Sequence, residues 1–375
     1  MRACLHWALP LLALACASAH AADFEAKVLP SGRVAVQLGD LLVSVEDARA
    51  MAAGRSISTG NAWPGGAVYF EFNSNVDESR RALTRSLLSQ WGQDTAIRLI
   101  ESNTASNRIL ISDDPNGAPC GSSWVGMIGG VQDLLIRCWA TRTIVHEFGH
   151  ALGAEHEHQR SDRAGFVNLQ DVNNLRTAHP SLWNANYAMV PGGSVNSAYD
   201  YASVMHYSSA SSFTINQVTY TVNINALGAQ PPGPPAGSAA ACANSSACSA
   251  LMGRSVPSAR DLYGQALRYG RRLDRDEASR SLRGQLQISG HIDSCGSTCW
   301  RVPAESEVTV TLTPDPGEIA VLGGRDCQVR ARGAVQCVLA TDRNRRFTAF
   351  TFPAGALPQL DEPPLPANVF ANGFE

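Results

Sequence analysis

Lysine is all but missing from this chain of 375 residues. Lys27 is the only one, and arginine supplies the rest of the 30 basic residues. The bias points to a GC-rich, bacterial-type genome and carries no chemistry. An excess of either charge is missing too: 30 basic against 33 acidic residues leave a net charge of −3. That balance gives no electrostatic footing for nucleic acid or an anionic membrane. Beyond the first residues no apolar run reaches the roughly 20 residues that span a bilayer, so no transmembrane anchor is expected. Cysteine is absent between Cys16 and Cys120, which excludes a disulfide rooted anywhere in residues 17–119.

The start of the chain, Met1 to Ala21, reads as a secretory signal peptide. Arg2 gives the charged start, Leu5 to Ala17 the short apolar stretch, and Ala19-His20-Ala21 a small-x-small cleavage site. Ala13-Leu14-Ala15-Cys16 is a lipoprotein alternative that lacks the usual leucine at its start. Cys4 and Cys16 would leave with this segment. Eight of the ten cysteines then remain, an even number that suits an oxidising compartment. The expected location is the periplasm or the extracellular space.

The strongest chemical signal is His146-Glu147-Phe148-Gly149-His150-Ala151-Leu152-Gly153-Ala154-Glu155-His156, an H-E-x-x-H-x-x-G-x-x-H pattern. His146 and His150 are one helical turn apart on one face and can chelate a single zinc ion. Glu147 lies beside the first ligand and can face a bound water instead of the metal. Gly153 can end the helix through a positive φ, so that His156 returns as third ligand. Three protein ligands leave the open position that catalytic zinc needs, whereas a helix of satisfied polar histidines would not need this spacing. Some fifty residues on, Tyr199-Asp200-Tyr201-Ala202-Ser203-Val204-Met205-His206-Tyr207 supplies a methionine that can pass beneath the metal.

Through HEFGHALGAEHEHQRSDR, His146 to Arg163, and Ser203-Val204-Met205-His206-Tyr207, the chain resembles the astacin family of zinc endopeptidases. Trp63-Pro64-Gly65-Gly66, Cys120-Gly121-Ser122-Ser123-Trp124 and Ser258-Ala259-Arg260-Asp261-Leu262-Tyr263 extend the likeness over about residues 55 to 270. The resemblance implies an α+β, two-lobed metzincin fold with an active-site helix and a methionine turn. It implies one Zn2+ per chain on His146, His150 and His156. It makes Glu147 the general base, Tyr207 a switchable ligand and oxyanion stabiliser, and Met205 and Glu157 structural. Ala154 stands where the family usually has phenylalanine. A propeptide aspartate that blocks the zinc is common in the family, within an F-x-G-D stretch. Gln37-Leu38-Gly39-Asp40 is the comparable segment, without the phenylalanine, and Asp40 is either that plug or a turn between two strands. The Cys120–Cys138 bond resembles a local bond of the family. Cys242–Cys248, Cys295–Cys299 and Cys327–Cys337 follow by proximity, among the connectivities that eight cysteines allow.

The expected organisation is a signal peptide over 1–21, a propeptide over 22–55 with cleavage after Arg55, and a catalytic domain over 56–270. A charged linker over 271–283, in which Arg271-Arg272 is a solvated face, would lead to a small all-β domain over 284–353 and a flexible tail over 354–375. Period-two alternation in 285–289, 307–312 and 347–352 carries the β reading, which resembles bacterial surface repeat modules. Gln230 to Ala250, rich in Pro, Gly, Ala and Ser, reads as an exposed insertion. The expected activity is hydrolysis of protein or peptide substrates by a secreted, monomeric protease made as a zymogen and activated by another protease. The alternative is an adhesion protein with a zinc scaffold and a binding β module. Several members of the resembled family favour acidic residues just after the cut through a basic residue shortly past the methionine turn; Ser208-Ser209-Ala210-Ser211-Ser212 offers none, so that preference is not predicted.

Overall fold

The computed structural model describes residues 24–53, 60–117, 119–190, 197–235, 242–276 and 282–356. The expected signal peptide, the cleavage point at Arg55 and the tail beyond residue 356 lie outside the described residues.

Three short strands, β1 (Ala26–Val28), β2 (Val34–Leu38) and β3 (Leu41–Val43), open the chain and run into helix α1 (Val45–Ala52). Ser44 caps α1 by accepting the Asp47 N–H at 3.0 Å. The next elements are β4 (Ala67–Phe72), α2 (Glu78–Leu88), β5 (Arg98–Glu101), β6 (Arg108–Asp113), β7 (Gly121–Ser123) and β8 (Val131–Ile136). Asp77 accepts the Arg80 N–H at 2.9 Å at the start of α2, and Leu87 and Leu88 are buried. All eight strands form one sheet in the order β1-β2-β3-β7-β8-β6-β4-β5. The three N-terminal strands are thus built onto its β7 edge, where Leu41 pairs with Ser123 in parallel.

Helix α3 (Thr141–Ala151) packs under this sheet, and every residue from Ile144 to Ala151 is buried. Its Ile144, Val145 and Phe148 share a core with Trp91, Ile109, Ile111, Leu134 and Ile136. The lower half has more loop. It holds β9 (Val167–Asp171), α4 (Leu175–Ala178), α5 (Pro180–Asn186), β10 (Ala210–Ile215), β11 (Val218–Ala226), α6 (Ser245–Leu251) and α7 (Ala259–Tyr269). A second core gathers Leu182, Trp183, Tyr187, Tyr199, Tyr201 and Tyr207 with Val36, Leu38, Leu41, Val43, Ala48 and Met51 of the N-terminal segment. Met205 belongs to the first core and Tyr207 to the second, so the turn at 203–207 joins the two halves. Cys242 and Cys248 are buried in the second core and Gln230 is buried beside Tyr201. The insertion is therefore exposed only in part.

The chain ends in β12 (Arg271–Arg275), β13 (Gly284–Ser289), β14 (Asp293–Gly296), β15 (Cys299–Val302), β16 (Glu307–Pro314), β17 (Glu318–Gly324), β18 (Cys327–Ala331), β19 (Val335–Ala340) and β20 (Arg345–Pro353). They form a six-stranded sheet, β14-β15-β12-β20-β17-β18, and a three-stranded one, β13-β16-β19. One correction falls here. Residues 271–275, expected within a charged linker, are a strand between β15 and β20. Leu273 fills the local core, and Arg271, expected as a solvated face, is buried with its guanidinium donating to the Asp94 carbonyl. Long arginine stems pack like apolar side chains when the head group finds a carbonyl. Disulfides join Cys120 to Cys138, Cys242 to Cys248, Cys295 to Cys299 and Cys327 to Cys337, with Cα atoms 4.7, 5.1, 5.0 and 5.8 Å apart.

Candidate metal centre

Helix α3 presents His146 and His150 on one face, and the chain turns at Gly153, whose φ of +93° an L side chain rarely adopts. His156 thereby comes back over the helix end. The last carbonyls of α3 are satisfied from far away in sequence. Trp63 Nε1 donates to Ala151 at 2.9 Å and the Tyr269 hydroxyl to Leu152 at 2.9 Å.

Each imidazole is oriented by an acceptor at Nδ1. His146 Nδ1 lies 2.7 Å from the Val204 carbonyl, His150 Nδ1 2.8 Å from the Ala154 carbonyl, and His156 Nδ1 2.6 Å from Gln159 Oε1. This network assigns the ring proton to Nδ1 and turns the three Nε2 lone pairs inward. The loop residue Ala154, unusual in its side chain, serves through its backbone. Met205 packs its sulfur against Gly149 of α3, beneath the histidines.

Asp40 completes the cluster. Leu38 and Leu41 pair across a two-residue turn made by Gly39 and Asp40. Gly39 sits first with φ +66°, as such a tight hairpin requires. The turn carries the carboxylate into the centre: Oδ2 is 3.2 Å from His146 Nε2 and 3.1 Å from His156 Nε2. Asp40 is thus at once a turn between two strands and a neighbour of the histidines. The ligand atoms of Asp40, His146, His150 and His156 all lie within 4.8 Å of one another, and all four residues are buried.

This donor set suits zinc. Bonds of about 2.0–2.1 Å at a tetrahedral centre place donor atoms about 3.3–3.4 Å apart. His150 Nε2 and His156 Nε2 are 3.2 Å apart with no proton between them, a contact that repels unless a cation draws the two lone pairs together. Asp40 Oδ1 and Glu147 Oε2 are buried without a hydrogen-bond partner, a costly state that a bound cation and its water would relieve. Burial works to raise the Asp40 carboxyl, but His156 and His146 outweigh it and hold it well below the usual range. Burial, then the Asp40 charge, pushes Glu147 well above the usual carboxylate range, against the nearby Arg142.

Glu147 opens onto a cleft of about 250 Å³ lined by Asp40, Arg142, His146, Tyr207 and Phe213. Tyr207 stands with its ring centroid 4.5 Å from that of His156, and its hydroxyl donates to Asn186 Oδ1 at 2.7 Å. Burial and the Asp40 charge push that phenol well above its ordinary value. Glu157 faces away from the cluster. Its Oε1 accepts from the Asp200 N–H at 2.8 Å and from Arg160 at 3.0 Å, and burial, then the Asp200 charge, raises it to about 8 despite Arg160.

Sequence reading missed Gln159, Arg142 and Asn186. Gln159 had a signal, a side-chain acceptor three residues past the third histidine. Arg142 and Asn186 had none, because their partners at His206, Arg254, Leu38 and Tyr207 are distant in sequence.

Residues 56–230 match the family model described as Astacin, a family of peptidases. Human Tolloid-like protein 1 is 32% identical over 156 residues, which is 40% of this chain and 14% of that protein. Zinc metalloproteinase nas-32 of Caenorhabditis elegans is 33% identical over 150 residues, 39% of this chain and 21% of its own length. The chain therefore spans about a fifth or less of these two relatives. Among solved structures, high choriolytic enzyme 1, a hatching-enzyme zinc protease of the medaka Oryzias latipes, aligns over 56% of this chain and 94% of its own, with a TM-score of 0.42 and 21% identity. The segment matched by the family model contains all three histidines, Glu147 and Tyr207. The likeness is to a family of peptidases, and it spans the three histidines of a cluster that could hold a metal ion.

Proposed function

We propose that the chain is a secreted, monomeric zinc endopeptidase of the astacin type that hydrolyses protein or peptide substrates and is made as a latent precursor. The observation that carries this reading is three inward-facing Nε2 atoms set beside a buried Glu147 at the floor of a cleft. One zinc per chain, held by His146, His150 and His156, would supply a Lewis acid and lower the pKa of a water to about 7. Glu147 takes the proton of the attacking water and returns it to the leaving amine. Tyr207 donates its O–H to the oxyanion that develops on the scissile carbonyl. Met205 and Glu157 support the site from beneath and behind.

In the precursor, residues 22–55 act as the propeptide and Asp40 fills the fourth corner of the donor set, which keeps substrate and water out. A second protease cutting after Arg55 would begin activation. Residues 56–270 form the catalytic domain, and 284–353, extended by β12, a β module. The N-terminal segment 1–21 is read as the export signal. Among the described residues no helix is long and apolar enough to cross a membrane. An adhesion protein on a zinc scaffold would have no use for Glu147 and Tyr207 on one cleft.

The test is Glu147→Ala in the processed protein. Casein hydrolysis should fall by about 10²–10⁴-fold, chelator should remove activity from the parent protein, and zinc content should stay at parent level. Cleavage by the variant at the parent rate would remove the mechanism.

A further inference from the structure

Asn186 ends helix α5 and is fully buried. Its side-chain amide touches three groups. Nδ2 donates to the Leu182 carbonyl at 2.9 Å and to the Leu38 carbonyl at 3.1 Å, and Oδ1 accepts the Tyr207 hydroxyl at 2.7 Å. The two carbonyls fix which end of the amide is which, because only NH₂ can donate to them. Oδ1 is then the acceptor, and the Tyr207 hydroxyl must be the donor.

A tyrosine hydroxyl has one hydrogen to give. While that hydrogen goes to Asn186 it cannot go to a developing oxyanion. Leu38 lies immediately before the Gly39-Asp40 turn, and a Cβ on Gly39 would collide with the Asn186 amide. The hairpin tip therefore sits directly on the residue that holds Tyr207. The same helix grips the N-terminal segment a second time, where Asn184 Nδ2 donates to the Met51 carbonyl at 2.7 Å.

We propose that Asn186 is a positioning residue that couples the two ends of this chain of hydrogen bonds. With the 38–40 turn in place, the Leu38 carbonyl pins the amide and the amide holds the Tyr207 hydroxyl. When the turn withdraws, one of the amide's two carbonyl partners is lost and the tyrosine is freed for substrate. The precursor is thus closed twice, by Asp40 at the histidines and by Asn186 at the tyrosine. This rests on the latent-protease reading, but its test does not use proteolysis.

The experiment follows amide hydrogen exchange of residues 34–43 in the full-length precursor, zinc-loaded and chelator-treated. It compares the parent with Asn186→Ala, Tyr207→Phe and the double variant. Each single change should raise exchange at 38–41 about tenfold, and the double variant should go no further than the larger single. Unchanged exchange in Asn186→Ala, or single effects that multiply in the double variant, overturns the coupling. If Asn186→Ala raises exchange across 131–136 as well, the whole fold has loosened. Asn186→Asp then decides: it keeps the shape and an acceptor for Tyr207 but loses the donors to Leu38. It should raise exchange at 38–41 alone, and no rise there overturns the proposal. A parent protein that shows this coupling yet cleaves no protein would fail the endopeptidase reading and leave the latch intact.

Discussion

Residues 24–53, three short strands and a helix, and the C-terminal strands β12 to β20 join the central region in opposite ways. The N-terminal segment shares a core with it. Val36, Leu38, Leu41, Val43, Ala48 and Met51 pack in one cluster with Tyr187, Tyr199 and Tyr207. The C-terminal strands keep their own core of Leu273, Val308, Val310, Leu312, Leu322 and Phe347. Their seam with the centre is polar: Arg98 Nη1 donates to the Cys295 carbonyl at 3.1 Å and Asn344 Nδ2 to the Thr95 carbonyl at 3.2 Å. A shared core ties the stability of a segment to the site it touches. A polar seam allows the two sides to loosen separately.

The sharpest way to break this contrast is a matched pair of core truncations. Leu41→Ala and Leu312→Ala should each cost about 2–5 kcal/mol. Only Leu41→Ala should lower zinc occupancy as the full-length protein melts; equal loss of zinc in both would erase the distinction.

A pH titration of stability should give the two regions opposite signs. Burial, then the charge of Asp200, raises Asp261 to about 7. A carboxyl raised in the fold stabilises below its ordinary value, and that contribution is lost as pH climbs towards about 7. Asp261 alone should therefore cost the central region on the order of 4 kcal/mol between about pH 4 and pH 7. In the C-terminal strands the hydrogen bond from Arg301 lowers Asp293. Its contribution is present above the ordinary carboxylate value and lost as pH falls below it. Melts monitored on each region between about pH 3 and 8 check both slopes.

Asp40→Ala removes the carboxylate proposed to block the site and leaves the shared core in place. The unprocessed protein should gain at least tenfold in peptide hydrolysis, about 1.4 kcal/mol, with little change in melting temperature. Unchanged latency both in Asp40→Ala and in Asp40→Ala combined with Asn186→Ala would remove Asp40 from the block. The smallest effect belongs to the seam. Asn344→Ala should cost about 1 kcal/mol and leave zinc binding and hydrolysis as they were, measured on the same preparations.

How far the sequence could be read follows the distance over which each contact acts. The three histidines lie within eleven residues and obey helix geometry, so their convergence was legible. The period-two stretches gave β13, β16 and β20, because alternation is a local signature of a half-buried strand. Asp40 was readable as either a turn or a plug, and the hairpin makes it a turn whose carboxylate meets the histidines. Arg271 was misread, since nothing near it in sequence reveals the Asp94 carbonyl that receives its guanidinium. Asn186 was invisible for the same reason: Leu38 and Tyr207 are 148 and 21 residues away.

The end of helix α3 has a consequence for the order in which this protein can be assembled. Trp63 and Tyr269 both secure its final carbonyls, and the Trp63 N–H also reaches the Tyr269 hydroxyl across 206 residues. His156 leaves the ribosome long before Tyr269 does. Until the later residue arrives, the helix end can fray and the third imidazole has no fixed address. The three imidazoles are therefore held in one place only once the first and last pieces of the central region have met.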